Sequence, residues 1–388
     1  MHKKILRFRK LLSKFFEIIK KIFASFKKTN QLEIRDNTNK QITIEQLLNS
    51  IKTLGVACGL AILKNSYLAN IGLMSGLIKM LQLYEAKLEI TLEGSQRCIY
   101  ALANAQTGCL ASGGADKTLK VWNVNEASLK KTLKGHEGSI CSLITIENKY
   151  LASGSRDGEI KLWDLDEENL AKTLTGHSGY VRALAYKQSA RLASCASDDT
   201  VKLWDLDKES CVQTFKAHEN GVCALIYLEN GDLASCGGDR LIKIWNLNEN
   251  RVVATLKGHE RIVWSLVSIE SGRLASGGYD GVINVWDVTT GSLLRSLKGH
   301  SECVRALVWV ESGRIASAGE DGRVIVWDVN EGSSVKCIEG HEGQVNALVY
   351  LGNGCLASAG DDRKIRVWNV SREERINFIS INCTLEIK

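Results

Sequence analysis

Seven tryptophans, Trp122, Trp163, Trp204, Trp245, Trp286, Trp327 and Trp368, stand 41 residues apart with no insertion or deletion between them. A strict period near 40 is the signature of stacked supersecondary units, each too small to bury its own apolar face and stable only against its neighbours. Residues 128–164, SLKKTLKGHEGSICSLITIENKYLASGSRDGEIKLWD, spell out one such unit in full. From residue 85 onward the chain reads as short alternating strands bounded by Gly, Asn, Asp and Ser, an all-β pattern that persists to the C-terminus. The length of 388 residues leaves room for one large domain and an accessory segment.

The accessory segment is the N-terminus, and charge separates it from the repeats. Residues 1–28 hold ten Lys or Arg against the single acid Glu17, a local net of +9; the chain as a whole is +6, so the remainder carries −3. Nothing in the repeats calls for nucleic acid on charge grounds. Ile5, Phe8, Leu12, Phe15, Ile19, Ile22 and Phe26 fall at alternating steps of three and four, which predicts a basic amphipathic helix over residues 3–28. Such a helix suits an anionic membrane surface, where apolar burial and charge attraction add; docking on another protein, or a calmodulin-like target, is the alternative. The segment lacks the uninterrupted apolar core and cleavage site of a secretory signal.

Residues 29–84 read as a polar linker followed by an apolar helical segment. Thr43 and Gln46 form a capping box ahead of a helix through Leu47, Leu48, Ile51 and Leu54. Residues 53–80 are largely apolar, interrupted by Lys64 and Asn65 near the centre, which favours two short helices in a hairpin over a membrane span or re-entrant segment. The twelve cysteines are scattered, with no CxxC pair. Cys195 and Cys236 occupy positions where sister repeats place Gly, so they read as small buried apolar residues in a reducing, cytoplasmic setting, with no disulfide framework, metal site or cofactor. The chain contains no proline, and its turns rely on Gly, Asn and Asp.

Within the repeats one constellation returns six times: His136, Ser153, Asp157, Trp163; His177, Ser194, Asp198, Trp204; His218, Ser235, Asp239, Trp245; His259, Ser276, Asp280, Trp286; His300, Ser317, Asp321, Trp327; and His341, Ser358, Asp362, Trp368. With Gly-His, LASG-type strands, a turn Asp and a closing Trp-Asp or Trp-Asn, residues 85–370 resemble the WD-repeat β-propellers. The resemblance implies an all-β, seven-bladed β-propeller with an N-terminal α-helical extension, its repeats filling residues 85–372 ahead of a C-terminal strand or tail at 373–388. It implies that each constellation is a hydrogen-bonded chain from indole through hydroxyl and imidazole to carboxylate. A Ser-His-Asp hydrolase centre would occur once, beside an oxyanion hole; six copies on one period are architecture, and they consume six of the chain's seven histidines. The first copy keeps Ser112, Asp116 and Trp122 but has Ser95 in place of His, which predicts a softer first blade or a water in the gap. LEITLEG at 88–94 aligns with LKKTLKG at 129–135, and its matching Thr-Leu-x-Gly register favours it as the last strand of the ring, with RINFISI at 375–381 along an edge, although the reverse assignment stays open.

The resemblance also implies a binding face. Five residues after each Gly-His histidine, propellers of this kind present side chains around the narrow end of the channel, here Tyr100, Cys141, Arg182, Cys223, Trp264, Arg305 and Asn346. The residue before each turn Asp looks onto the same face: Ala115, Arg156, Ser197, Gly238, Tyr279, Glu320 and Asp361. Tyr180 joins them. Arg156, Tyr180, Arg182, Trp264, Tyr279 and Arg305 are the residue types that carry binding energy at interfaces, and three arginines on one rim also suit a phosphorylated or acidic segment. Tyr100, Glu320, Asn346 and Asp361 complete the candidate rim. Trp309 instead aligns with Tyr186, Tyr227 and Tyr350 and is expected to serve blade packing. The expected molecule is a monomeric, non-enzymatic scaffold for protein or peptide partners, tethered to a membrane surface by its N-terminal helix. The alternative is a substrate-recognition subunit of a larger assembly such as a ubiquitin ligase. An enzyme would need a site outside the repeats.

Overall fold

A computed structural model of the chain describes residues 87–371, except Thr107, Glu168 and residues 188–190. The helices expected within 1–28 and 29–84, and the strand or tail at 373–388, lie outside the described residues. Those described form β-strands joined by turns, grouped as seven antiparallel four-stranded sheets.

The chain enters on β1 (Lys87–Glu93). Blade 1 follows as β2 (Ile99–Asn104), β3 (Cys109–Gly114), β4 (Thr118–Asn123) and β5 (Ser128–Lys134). Blade 2 is β6 (Ile140–Ile146), β7 (Tyr150–Ser155), β8 (Ile160–Asp164) and β9 (Asn169–Leu174); blade 3 is β10 (Val181–Ala185), β11 (Leu192–Ala196), β12 (Thr200–Asp205) and β13 (Ser210–Lys216). Blade 4 is β14 (Val222–Tyr227), β15 (Leu233–Gly237), β16 (Leu241–Asn246) and β17 (Arg251–Lys257). Blade 5 is β18 (Val263–Ile269), β19 (Arg273–Gly278), β20 (Val282–Asp287) and β21 (Leu293–Lys298). Blade 6 is β22 (Val304–Glu311), β23 (Arg314–Gly319), β24 (Arg323–Asp328) and β25 (Ser333–Glu339), and blade 7 begins with β26 (Val345–Gly352), β27 (Cys355–Gly360) and β28 (Lys364–Asn369). The fourth strand of blade 7 is β1, antiparallel to β28 with Leu92 opposite Ile365. Each first strand lies beside the first strands of the two neighbouring blades, and β2 touches both β6 and β26, so the ring is closed.

Strand composition follows from where each strand sits. The second strand of every blade is a run of small residues such as LASGS, LASCA or LASCG, buried along its length because sheets cover it on both faces. Both faces buried means no polar–apolar alternation. Outer strands such as β5 and β17 are mostly exposed, with one buried residue near the end, Leu133 or Leu256. The apolar clusters lie between blades rather than within them. One joins Ala103, Leu119 and Leu133 of blade 1 to Ile140, Leu151 and Trp163 of blade 2. The seam at the chain ends is built identically, with Leu92, Ile365 and Val367 against Ile99, Leu110 and Trp122. Asn104 Nδ2 adds a hydrogen bond across it to the Tyr350 carbonyl at 3.0 Å.

The glycine of each Gly-His pair lies under the edge of its own blade's indole. A Cβ on Gly258 would stand 2.8 Å from Trp286, closer than carbon atoms tolerate. Blade 4 has Ala217 there, with Phe215 5.3 Å from the Trp245 ring. Cys195 and Cys236 are fully buried in second strands, as expected of small apolar residues, and Trp309 packs into the cluster between blades 5 and 6, as its alignment with Tyr186, Tyr227 and Tyr350 suggests.

Because the closing seam is equivalent to the others, Leu92→Ala and Leu256→Ala are expected to cost the same, about 2–5 kcal/mol each. Urea unfolding of the two variants checks this; a near-neutral Leu92→Ala would mean that another strand closes blade 7.

Candidate interaction site

In blade 2 the Trp163 indole N–H donates to Ser153 Oγ at 2.8 Å, Ser153 Oγ lies 2.7 Å from His136 Nε2, and His136 Nδ1 lies 2.8 Å from Asp157 Oδ2. The polarity of this chain is forced. An ionised carboxylate only accepts, so Nδ1 carries the ring proton, Nε2 accepts the serine O–H, and the serine oxygen is left to accept from the indole. The carboxylate does further work: Asp157 Oδ2 also accepts the Glu137 and Gly138 N–H groups, and Oδ1 accepts that of Glu159. One aspartate therefore holds both the loop carrying the histidine and the turn between β7 and β8.

Five more blades repeat the chain. Indole-to-hydroxyl distances are 2.8 Å for Trp204–Ser194, 2.9 Å for Trp245–Ser235, 2.8 Å for Trp286–Ser276, 2.7 Å for Trp327–Ser317 and 2.8 Å for Trp368–Ser358. The imidazole contacts follow suit, with His177, His218, His259, His300 and His341 bound to the same serines and to Asp198, Asp239, Asp280, Asp321 and Asp362. Burial pushes the pKa of His136, His177 and His218 below the ordinary 6.5, outweighing the upward pull of their aspartates. Burial works to raise the Asp157 and Asp198 carboxyls, yet their hydrogen bonds hold both below the usual range.

Blade 1 solves its missing histidine with an ammonium. Trp122 still donates to Ser112 at 2.8 Å, but Asp116 is held by Lys120 Nζ at 2.5 Å, with Ser95 Oγ at 3.4 Å and Thr118 Oγ1 at 2.9 Å. Lys120 is 6% exposed, a buried charge matched by the carboxylate it replaces imidazole to satisfy. The predicted gap is thus filled at its acidic end by a residue on β4. Its signal was present in the sequence as a lysine four residues after the aspartate, but sister blades carry Lys161, Lys202 and Lys243 at the same position, which hid it.

The rim positions share a local device. In every inner strand, pairing slips between the first and third residues: Ile99 and Ala101, Ile140 and Ser142, Val181 and Ala183, Val222 and Ala224, Val263 and Ser265, Val304 and Ala306, Val345 and Ala347. The residue skipped is Tyr100, Cys141, Arg182, Cys223, Trp264, Arg305 or Asn346. A bulge takes a residue out of the ladder and re-aims its side chain. The second set is tied alongside by backbone bonds, such as Arg156 N–H to the Ser139 carbonyl, Tyr279 to Ile262 and Glu320 to Cys303.

Three groups form on this rim. The exposed Arg156 guanidinium lies over the rings of Tyr100 and Tyr180, at 5.5 and 5.7 Å. Arg182 and Arg305 lie over the Trp264 ring at 5.5 and 4.5 Å, and Arg305 is ion-paired with Glu320 at 2.6 Å. Asn346 Nδ2 donates to Asp361 Oδ1 at 2.8 Å and to the Ile99 carbonyl at 3.1 Å. Tyr279 is 40% exposed, and no ring or cation contact joins it to the others among the described residues. Two features were not legible in the sequence. Trp264 is half-buried beneath arginines rather than a free anchor, and two guanidiniums from different blades share its ring. Glu320 neutralises one of the three arginines, a pairing within one blade that the sequence reading missed.

His136, Asp157 and Glu159 bring three ligand atoms within 4.8 Å of one another. Both imidazole nitrogens are already hydrogen-bonded, and Glu159 is paired with Lys161 at 2.7 Å, an ammonium that would repel a cation. The set does not suit a metal.

Seven stretches, residues 86–123, 127–164, 168–205, 209–246, 250–287, 291–328 and 332–369, match the family described as WD domain, G-beta repeat. No curated protein matches the chain.

The lowered histidine values set a pH dependence. A ring kept neutral in the fold is easier to protonate once unfolded, so its contribution is complete above about pH 6.5 and is lost as pH falls below it. The thermal midpoint should therefore drop between pH 7.5 and pH 5, measured by calorimetry, with His177→Gln flattening part of that slope. In blade 1, Lys120→Met should cost about 3–5 kcal/mol by stranding Asp116, and Ser95→His in that background should recover part of the loss in urea unfolding.

Proposed function

Since the chain belongs to the WD-repeat family, whose propellers are typically non-catalytic protein-interaction scaffolds, we propose that it captures a protein or peptide segment on the rim bearing Tyr100, Arg156, Tyr180, Arg182, Trp264, Tyr279 and Arg305. The observation that carries this reading is the bulge in every inner strand. It takes a residue that varies from repeat to repeat out of the ladder and leaves Arg, Tyr and Trp together at one end of the ring. These residue types supply contact area and directional donors at little entropic cost. The Ser-His-Asp sets support the reading by being fully committed to hydrogen bonds within the blades.

The N-terminal segment supports a second part of the proposal, a tether. Its +9 over residues 1–28 and its apolar stripe suit an anionic bilayer surface, which would place the propeller at a membrane.

Arg182→Ala with Trp264→Ala is expected to abolish partner capture from cells without unfolding the ring, the thermal midpoint falling by only a few degrees because Trp264 packs at the margin of the blade 4–5 cluster. Asp157→Ala should lower the midpoint yet retain capture. Loss of capture from outer-strand substitutions alone would move the site elsewhere. For the tether, the full chain should float with anionic vesicles and a chain lacking residues 1–28 should not; equal behaviour of the two removes that part of the proposal.

A further inference from the structure

We infer that the part of the rim formed by blades 2 and 3 is an anion site, and that the segment it takes carries a phosphate monoester. This rests on the reading of the rim as the binding face. Of the three rim arginines, Arg305 is neutralised by Glu320 at 2.6 Å. Arg156 and Arg182 have no carboxylate partner among the described residues. Arg156 meets tyrosine rings, and Arg182 meets the Trp264 ring and donates to Cys223 Sγ at 3.3 Å. The thiols beside them offer no counter-charge, because burial pushes Cys141 and Cys223 up and keeps both protonated.

The aromatic contacts matter for what those guanidiniums can do. A ring beneath a guanidinium restrains it while using none of its five N–H donors. Arg156 and Arg182 are therefore held on adjacent blades with most of their donors free, Arg182 spending one on Cys223 Sγ. Two restrained forks with free donors match a tetrahedral dianion with three acceptor oxygens better than they match a single carboxylate. Blade 7 carries the opposite sign, with Asp361, which accepts from Asn346 rather than from a cation, while Arg305 and Glu320 of blade 6 cancel. That asymmetry would repel a phosphate placed there and would orient a segment across the mouth.

The test uses the full chain and three matched randomised peptide libraries, with a central phosphoserine, glutamate or serine. The phosphoserine library should be enriched, and its selected members should bind at least about tenfold more tightly than their serine counterparts, a gap that narrows as ionic strength rises. Arg156→Gln and Arg182→Gln should each erase most of that gap. Arg156→Lys should keep only part of it, because an ammonium cannot engage two oxygens in a plane. Thermal midpoints of all variants establish folding. Equal binding of phosphoserine and serine members, with Trp264→Ala still abolishing capture, would overturn the anion site and leave the rim reading intact. Selected peptides indifferent to every rim substitution would overturn both. Binding of inorganic phosphate as tight as that of the peptides would assign the site to a free anion and overturn the peptide part.

Discussion

Every sheet in this ring is covered on both faces, and the rest of the structure depends on that coverage. The second strand of each blade is buried along its length, and each apolar cluster is shared by two blades. No blade can hide its own apolar surface, so a linear stack would leave two faces wet and only closure removes them. This is why β1, earliest among the described strands, completes the last blade: pairing with β28 makes the seam between the chain ends the same as every other seam.

Coverage by sheets has a cost in unpaired polar groups at the blade ends, which the Trp-Ser-His-Asp chains meet. Each chain runs from a buried indole to a turn carboxylate with every donor matched to an acceptor, and the carboxylate then gathers the backbone N–H groups of two loops. Blade 1 shows that what the site requires is a cationic or protonated donor to Asp116 rather than imidazole as such, since Lys120 supplies it. With the loops fixed, the bulged residues can vary from blade to blade while the hydrogen-bonded frame beneath them repeats.

That division explains what could be read in advance. The period of the tryptophans made the number of blades legible, and the in-register Gly-His, Ser and Asp made the networks legible, because a buried polar chain tolerates little substitution. The family match spans the same seven units. Legibility stopped at interactions between side chains from different blades. Arg305 and Glu320 are both in blade 6 and could have been paired by their spacing, but the placing of Arg182 over Trp264 joins blades 3 and 5 across the mouth of the channel. Nothing local in the sequence specifies that reach. The same holds for Trp264, which reads as a free aromatic anchor until two guanidiniums are seen over its ring.

By itself the sequence determined the architecture and the identity of the rim positions, since a fixed 41-residue period repeats the same buried pattern and only the non-repeating residues are free to differ. Tertiary structure decided between the two strands that could close the ring, in favour of the one whose register matched, and alone set which aromatic rings the rim arginines meet. Closure selects among strands of similar pattern by the seam they complete, and the cation–ring contacts depend on distances across a ring that bring together residues more than 80 positions apart, such as Arg182 and Trp264.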